Sequence, residues 1–437
     1  GPSYGLAYVT IMTMFCSALK RGAGIDLYRR PFWKNHARWR QRIVPPYIEW
    51  LGFGDHSERW SDSWLGGADL VELIGRETGT SEFDAYVAEM REEAKMLDTP
   101  DERKMPGACT QLLTSKPGES PQGDASEKNM LSVYPAVGWA AIRSDREDRE
   151  RDIAMIFRSS PFGSVSHSHA NNNDFILHVG GRVMAMPSGY YSGYASDHHA
   201  HWVWHTKSHN CVTLSDAPQL MRSHDSQGAV ENAFEDERLV YFRGTADRSY
   251  ADRADRCRRH VLFVKEQQYF IMVDEFAAKA GIASSLQWNL HSWNDYDVNE
   301  ERRQFQTRRG DSVLRGFFMH HKNGFFTLTE GWDPPPMKGK DDSHWHPQYH
   351  LRFTPSGIES PRRNLGVVLT MTHEHLEAPK VETSRVGDTE VAVVGEDLVL
   401  VNQGAGILYE SYQSDALILV SSGNQCYEVT DSGLRAR

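Results

Sequence analysis

Apolar residues in the first 96 positions recur at helical spacing. Four segments show this pattern, at positions 4–19, 33–50, 65–74 and 83–96. Recurrence every three to four residues predicts amphipathic helices. Glycine and proline clusters at 22–24, 45–46 and 52–54 interrupt the region and favour turns. The N-terminal quarter of the chain is therefore predicted to be helical, and its first residues are expected to lie inside a domain.

The pattern changes after a segment rich in Pro, Gly, Ser and charged residues, which predicts a linker at 97–130. From residue 131 onward apolar runs with a period of two predict strands. These runs cover 133–142, 153–157, 175–179, 239–242, 260–264, 269–273, 286–290, 313–318, 351–353, 367–372 and 417–420. Many strands with few helices indicate stacked antiparallel sheets. Residues 131–437 are thus predicted to form an antiparallel β-sandwich, with a small C-terminal β subdomain from about residue 350 as an option.

Composition and charge narrow the class of protein. The chain has 437 residues, of which 39% are hydrophobic, so two or three domains with large cores are expected. A net charge of -11 argues against a nucleic-acid partner, which normally requires a basic surface. An acidic polysaccharide stays possible as a partner, because a local basic cleft can form on an acidic protein.

Cysteine usage and hydropathy exclude further classes. The five cysteines are widely spaced and form no CxxC pair, so neither a zinc ribbon nor a disulfide scaffold is predicted. No apolar run approaches the roughly 18 residues that a membrane span needs, so no membrane association is expected. No signal peptide is recognisable at the start of the sequence.

Histidines concentrate in one stretch, where nine of the 20 fall between His167 and His224. Tyrosines and tryptophans are interleaved with them. Imidazoles and phenols at this density suit proton transfer, metal binding or sugar contact. A scatter of solvated histidines is the alternative, but the Gly, Ser and Asn residues between them are typical of a loop-built site on a rigid sheet.

The same stretch resembles the signature of the heparinase II/III-like polysaccharide lyases. The matching residues are Gly163-Ser164, His167-Ser168-His169-Ala170, Asn172, Ser188-Gly189-Tyr190-Tyr191, His198-His199 and Thr206-Lys207-Ser208-His209-Asn210. The resemblance implies an α+β multidomain fold, in which an incomplete α/α toroid (residues 1–96) precedes the antiparallel β-sandwich. It also implies β-elimination, in which a base removes the C5 proton of a uronate and an acid protonates the leaving oxygen.

By resemblance, two residues are expected to transfer protons. The first His of the HxH motif belongs to the active site of these enzymes, which points to His167. A tyrosine of the toroid serves as acid and often as base, and the segment around Tyr4 looks like that site, with Tyr8 as the fallback. The alternatives are a loop-capping imidazole and tyrosines that pack in a helix. The usual carboxylate-neutralising Asn or His has no counterpart in this sequence.

The resemblance also implies that the protein could bind a structural metal ion of the zinc type. Its expected ligands are His169 and His209 with an Asp about 18 residues after the first, but that position is Pro187. Two imidazoles are too few for a closed tetrahedral site. Asp174 or a residue of 198–205 would have to complete it. The alternative is that the two histidines hydrogen-bond each other's loops.

Five residues are predicted to contact substrate: Asn172, Tyr190, Tyr191, His199 and Arg222. For the tyrosines, packing in the core is the alternative. The basic run at 253–259 is predicted to be a solvated strand edge that pairs with Asp252 and Asp255. Asp274 and Glu275 are expected to form a turn at the end of a strand.

Together these features predict a lyase for a uronate-containing polysaccharide, with alginate or oligoalginate favoured. A glycosaminoglycan lyase and a uronate C5-epimerase are the alternative enzymes, since the same carbanion can also be reprotonated. A non-catalytic glycan-binding protein is the alternative of another class, and Pro187 favours it. The expected partner is an acidic polysaccharide or oligosaccharide, a homodimer stays open, and the expected location is the bacterial periplasm or outside the cell, with the cytoplasm as the alternative.

Overall fold

The computed structural model describes residues 2–55, 61–96, 129–282, 285–319, 324–337, 345–356 and 362–437. Within it the chain divides into two compact units, residues 1–128 and 129–437. The predicted linker lies outside the described residues except for its last two positions, 129 and 130. The first unit is helical and the second is built from strands.

The described part of the first unit contains four α-helices: α1 (Pro2–Ala23), α2 (Phe32–Ile43), α3 (Ser61–Thr78) and α4 (Asp84–Met96). A short 3-10 helix, Leu27–Arg29, lies between the first two. The helix predicted over 33–50 ends at Ile43, because Pro45 and Pro46 cannot continue it. Among the described helices, none combines the length and the hydropathy that crossing a membrane requires. The four helices do not show an α/α toroid, which stays a prediction.

The second unit contains five antiparallel sheets. Its described strands are, in chain order, β1 (Leu131–Tyr134), β2 (Trp139–Arg143), β3 (Ile153–Arg158), β4 (Asp174–Val179), β5 (Arg182–Ala185), β6 (Val212–Leu214), β7 (Ala229–Glu235), β8 (Leu239–Thr245), β9 (Ala254–Val264), β10 (Tyr269–Ala278), β11 (Leu286–Ser292), β12 (Asp297–Asn299), β13 (Gln304–Arg309), β14 (Ser312–Phe318), β15 (Gly324–Glu330), β16 (Tyr349–Pro355), β17 (Arg362–Thr372), β18 (Val381–Val386), β19 (Thr389–Val394), β20 (Asp397–Asn402), β21 (Ile407–Tyr409), β22 (Tyr412–Ser414), β23 (Ile418–Ser422), β24 (Gln425–Thr430) and β25 (Gly433–Ala436). The single strand predicted over 133–142 is therefore a hairpin of β1 and β2.

The sheet with the most strands lies at the centre of the stack. Eight strands pair in the order β12-β13-β14-β17-β10-β9-β8-β7. One face shares a core with the five-stranded sheet β1–β5 and with the four-stranded sheet β15-β16-β11-β6. The other face shares a core with the six-stranded sheet β18-β19-β20-β23-β24-β25, and β21 pairs with β22.

Strand β9 shows why the sequences of the central strands contain continuous apolar runs. Val261 and Phe263 belong to the first core, whereas Leu262 and Val264 belong to the second. Successive side chains of a strand point to opposite faces, so a strand covered on both sides buries every residue. The predicted antiparallel β-architecture is confirmed in this unit.

The C-terminal region differs from the division that the sequence suggested. Strands β16 and β17 pair with β11 and β10, so residues near 350 complete the central sheets rather than begin a separate subdomain. The six-stranded sheet begins only at Val381 and packs on the central sheet through a common core. Residues 129–437 accordingly form one compact unit.

Arg253 pairs with Asp252 as predicted, but the rest of the basic run at 253–259 is not a solvated edge. It lies mostly on β9, which pairs with β8 on one side and β10 on the other. Arg259 is fully buried and pairs with Asp274, and Arg256 pairs with Glu275. Asp274 and Glu275 lie within β10 rather than in a turn. The register of β10 on β9 brings them beside these arginines.

Candidate active site

Two long loops of the second unit carry the clustered histidines. The first, residues 159–173, joins β3 to β4, and the second, residues 186–211, joins β5 to β6. The second loop contains a π-helical turn, His199–Val203, and a 3-10 turn, Thr206–Ser208. The backbone N–H of Ala170 donates to the carbonyl of Trp204, and the hydroxyl of Thr206 donates to the carbonyl of Ala170. These two bonds hold the loops side by side.

The first loop approaches a third loop, at 220–224, too closely for most side chains. Gly163 has a φ of 80°, and a Cβ built on it would lie 2.6 Å from the carbonyl oxygen of Ser223. Ser164 N donates to the same oxygen at 2.9 Å. Glycine is needed at position 163 for a physical reason, since only glycine tolerates both the left-handed backbone and the close approach.

We call the cluster formed by His167, His169, Tyr191, Tyr194, His199, Trp204 and Arg222 the histidine site. At its centre the ring of His199 has its centroid 5.3 Å from those of Tyr191 and Tyr194, and 5.0 Å from that of Trp204. Nδ1 of His199 accepts a hydrogen bond of 2.9 Å from the N–H of Ala195. That bond fixes the ring orientation and assigns the lone pair of Nδ1 to the backbone.

His167 contacts the same cluster from the first loop. Its ring centroid lies 5.7 Å from that of Tyr194, in an edge-to-face arrangement. The residue before it, Ser166, has a φ of 58°, which is costly for a residue other than glycine. Such strain persists only where surrounding structure enforces it and is frequent at functional sites. The partly exposed imidazole of His167 is thus held next to a phenol.

Arg222 brings a positive charge to the histidine site. The side chain is exposed, and its guanidinium lies over the ring of Trp204 at 4.4 Å from the centroid. A guanidinium stacked on an indole keeps its charge and its planar fork of donors, which matches the geometry of a carboxylate. Arg222 is therefore suited to pair with an acidic sugar.

Asn172 and Tyr190, both predicted to contact substrate, are instead engaged within the protein. The amide of Asn172 accepts from Ser160 N at 2.8 Å and donates to Ser226 O and to Ser249 Oγ. Asn172 is 2% exposed, so it fastens three loops together rather than facing a ligand. Tyr190 is equally buried and follows the core-packing alternative.

Several of the remaining histidines hold the backbone. His198 Nδ1 bonds to the carbonyl of Pro334, and its Nε2 accepts from Tyr190 N. Nδ1 of His205 accepts from Lys207 N. Burial lowers the pKa of His198 and of His205 to about 4, so both are neutral at pH 7, as these acceptor roles require. Their density in the sequence reflects loop structure as well as chemistry.

His209 lies beside the histidine site and is held from both ends. Its Nδ1 is 2.7 Å from a carboxylate oxygen of Asp174, and its Nε2 is 3.0 Å from the carbonyl of Val203. The other carboxylate oxygen of Asp174 accepts from Asn210 N. The ring centroid of His169 lies 5.3 Å from that of His209. Asp174 and His209 thereby tie the second loop to the start of β4.

These bonds do not fit the predicted metal centre. Both ring nitrogens of His209 lie within hydrogen-bonding distance of protein oxygen atoms, so the ring is engaged within the protein. Asp174, considered as a replacement for the missing Asp ligand, is used by His209 itself. Pro187 has no side-chain donor atom. Hydrogen bonds, among them those of Asn210, hold the loops, whereas His169 and His199 offer possible ligand atoms within 4.8 Å of each other. A structural metal that uses His169 therefore stays a prediction.

If hydrogen bonds alone hold the loops, removal of divalent metal should leave the protein unchanged. Overnight treatment with EDTA should not move the melting temperature, whereas Asp174→Asn should lower it, because a charged buried hydrogen bond is worth about 1.5–3 kcal/mol. Differential scanning calorimetry on protein purified without a His-tag tests both. One equivalent of metal per chain together with a lower melting temperature in EDTA would contradict this expectation.

A buried arginine clamps both loops from beneath. Nη1 of Arg259 donates to the carbonyl of Asn173 at 2.8 Å and to that of Asn210 at 2.6 Å. Its Nε and Nη2 bond to the two carboxylate oxygens of Asp274 at 2.8 and 2.9 Å. Asn173 ends the first loop and Asn210 ends the second, so one guanidinium on β9 sets their separation.

Loss of this clamp should be strongly destabilising. We expect Arg259→Met to lower the free energy of unfolding by ~3–5 kcal/mol, because the carboxylate of Asp274 stays buried without its partner. Arg258→Met is a matched control on the next residue of β9. Its pair with Asp247 is partly exposed, so a loss of only ~0–1 kcal/mol is expected. Urea denaturation measures both, and equal losses in the two variants would refute the role of the clamp.

The structure thus sorts the predicted site residues. It brings together His167, His169, Tyr191, His199 and Arg222, and it leaves Asn172 and Tyr190 in internal contacts. Tyr4 belongs to the helical unit, where it lies on α1. Four residues of or around the site were not selected from the sequence: Tyr194, Trp204, Asp174 as the partner of His209, and Arg259. The Tyr-rich run at 190–194 was a usable signal for Tyr194, whereas the partners of Asp174 and Arg259 depend on strand register.

A family model and solved structures of similar fold agree in the kind of protein that this chain resembles. Residues 127–387 match the family model described as heparinase II/III-like, C-terminal. In fold, the chain is similar to heparan sulfate lyase HepC from Pedobacter heparinus, with a TM-score of 0.64 at 15% identity, over 94% of this chain and 59% of that one. It is also similar to a heparinase III gene product, with a TM-score of 0.63 at 16% identity, over 90% of this chain and 56% of that one. No curated protein matches the sequence. The chain spans less than two thirds of the length of these structures, and identities this low show the fold alone.

Proposed function

Because the chain belongs to the heparinase II/III-like family, we propose that it is a polysaccharide lyase that cleaves a uronate-containing glycan by β-elimination. The family model covers more than half of the chain, including both histidine loops. The observation that carries the proposal is the contact between His167 of the first histidine loop and Tyr194 of the second, an imidazole beside a phenol, next to the left-handed backbone of Ser166. Imidazole and phenol groups are the acids and bases that proton transfer at carbon and oxygen requires.

The reaction needs three functions. A base removes the proton from C5, and the electron pair of that bond forms the C4–C5 double bond. The bond between C4 and the leaving oxygen breaks, and an acid protonates that oxygen. The negative charge that develops at the uronate carboxylate during proton removal must be stabilised.

In our proposal His167 and a tyrosine share the proton transfers. His167 takes or delivers one of the two protons. Tyr4 of α1 supplies the phenol by resemblance to the family, and Tyr194 offers a second phenol beside His167. We assign binding of the substrate carboxylate to Arg222, whose stacked guanidinium can bind it through two parallel hydrogen bonds. This role for Arg222 would replace the neutralising residue that the sequence lacks.

The substrate class is a uronate polysaccharide, and two members of that class are tested first. Alginate is the substrate favoured by the sequence. Heparan sulfate stands beside it, because two solved structures of similar fold are named heparan sulfate lyase and heparinase III. We also propose that α1 to α4 belong to an α/α toroid, as the resemblance implies.

The test is a panel of alginate, heparan sulfate, chondroitin sulfate and hyaluronan. Elimination creates a conjugated double bond, so the ultraviolet absorbance of an unsaturated uronate should rise with at least one polymer. No rise with any polymer, together with exchange of the C5 proton for deuterium in heavy water, would indicate an epimerase. Binding without either signal would indicate a glycan-binding protein.

A further inference from the structure

A second aromatic surface lies beside the histidine site. It consists of Trp293, Trp345, His346 and Arg309, which we call the tryptophan surface. The rings of Trp293 and His346 stack with centroids 4.3 Å apart, and the guanidinium of Arg309 lies 4.5 Å from the centroid of Trp293. His346 is exposed, and both tryptophans are half-buried. Large flat rings thus remain in contact with water.

The tryptophan surface is held rigidly by a buried tyrosine. The ring of Tyr190 stacks on that of Trp345 with centroids 4.9 Å apart and an interplanar angle of 8°. The hydroxyl of Tyr190 accepts from His346 N at 2.8 Å and donates to His346 O at 3.2 Å. Tyr190 therefore fixes both the ring of Trp345 and the backbone that follows it. When a surface is already ordered before binding, the free-energy cost of ordering its side chains on ligand binding is smaller.

A neighbouring tryptophan is anchored in the same way. The indole N–H of Trp332 donates to Oε1 of Gln348, which is fully buried and also accepts from Ser188 and Gly189. The ring of Trp332 meets that of Tyr190 edge to face at 5.8 Å. The polar end of this half-exposed ring is satisfied inside the protein, which orients its apolar body.

The composition of the tryptophan surface specifies its ligand. Flat apolar rings suit the C–H faces of a sugar, and a stacked guanidinium binds a carboxylate or a sulfate through its planar fork. The two features are adjacent, because Arg309 lies on the ring of Trp293 itself. An acidic sugar residue combines an apolar ring face with an anionic group.

We propose that the tryptophan surface is an accessory subsite for an acidic sugar residue of the glycan, outside the histidine site. Its position supports this role, since Tyr190 contacts Trp345 and the next residue, Tyr191, contacts His199 of the histidine site. A glycan longer than the histidine site can accommodate would reach both. The inference rests on the proposed function in that it assigns both surfaces to one substrate.

Binding to chains of two lengths tests the proposal. The His167→Gln variant, which should not turn over, is titrated by calorimetry with di- and octasaccharides of heparan sulfate and of alginate. In this background we expect Trp293→Ala, Trp345→Ala and Arg309→Gln each to weaken octasaccharide binding about 10-fold, the loss of one charged hydrogen bond or its equivalent. Disaccharide binding should not change. Arg308→Gln and Phe325→Ala are matched controls, because both side chains are exposed and lie outside the tryptophan surface.

Several outcomes would overturn the inference. Unchanged octasaccharide affinity in all three variants would do so, as would equal losses for both lengths or failure of the parent variant to bind any oligosaccharide. Melting temperatures identify a variant that has merely lost stability, and Arg309→Gln then carries the test. Failure of the proposed function is visible separately, since unmutated protein that cleaves no polymer can still show length-dependent binding.

Discussion

Replacement of His167 by glutamine should abolish most of the lyase activity. We expect the rate of unsaturated uronate formation to fall ~10²–10⁴-fold, the usual contribution of a general acid or base. Glutamine has a similar size and can make hydrogen bonds, but it cannot exchange a proton near neutral pH. The loop should keep its shape, because Asn172 and Ser164 hold it through hydrogen bonds that the substitution leaves in place.

A matched variant separates this chemistry from a general loss of histidine. His201 lies in the same loop system, within the π-helical turn, and its side chain is exposed. His201→Gln should keep nearly full activity. If His167→Gln folds with an unchanged melting temperature and retains activity within a few fold of that control, His167 is not a proton-transfer group.

Removal of a single oxygen from Tyr4 should have an effect of the same order. We expect Tyr4→Phe to lower the rate ~10²–10⁴-fold, because phenylalanine keeps the ring and loses the proton that the leaving oxygen would receive. Substrates with a better leaving group should lose less, since they depend less on an acid. Rates on polymeric substrate and on an oligosaccharide with an activated aglycone measure this difference.

Tyr8 is the built-in comparison for Tyr4. It lies one turn further along α1, and its side chain is 67% exposed. Tyr8→Phe should be nearly neutral. A loss confined to Tyr8→Phe would move the role to that residue, and activity preserved in both variants would exclude the helix from proton transfer and direct attention to Tyr194→Phe.

The fold was predictable from the sequence where buried strands contain runs or periodic patterns of apolar residues. The runs at 153–157 and 269–273 became β3 and β10 because their side chains fill cores. Strand β18 was not predicted, since its burial alternates with exposed polar residues and one exposed valine, Val386. The linker composition likewise preceded a real change from helices to strands.

The site was predictable only in part, because its geometry depends on pairing between distant segments. The sequence showed Asn172 as a polar loop residue, but burial under three loops is not visible there. Arg259 looked solvated among other arginines, and only the register that places Asp274 opposite it on β10 explains its burial. Tyr190 and Tyr191 are adjacent in sequence and point to different neighbours, the first to Trp345 and the second to His199.

The clamp made by Arg259 has a consequence for motion. Opening either histidine loop would pull the carbonyl of Asn173 or Asn210 away from a fully buried guanidinium and break a charged hydrogen bond. Such a loop has no cheap partly open state and belongs to the same cooperative unit as the sheets beneath it. If the proposed function is correct, conformational adjustment to a long glycan must then come from elements that carry no such tie, because the histidine loops would keep one fixed shape.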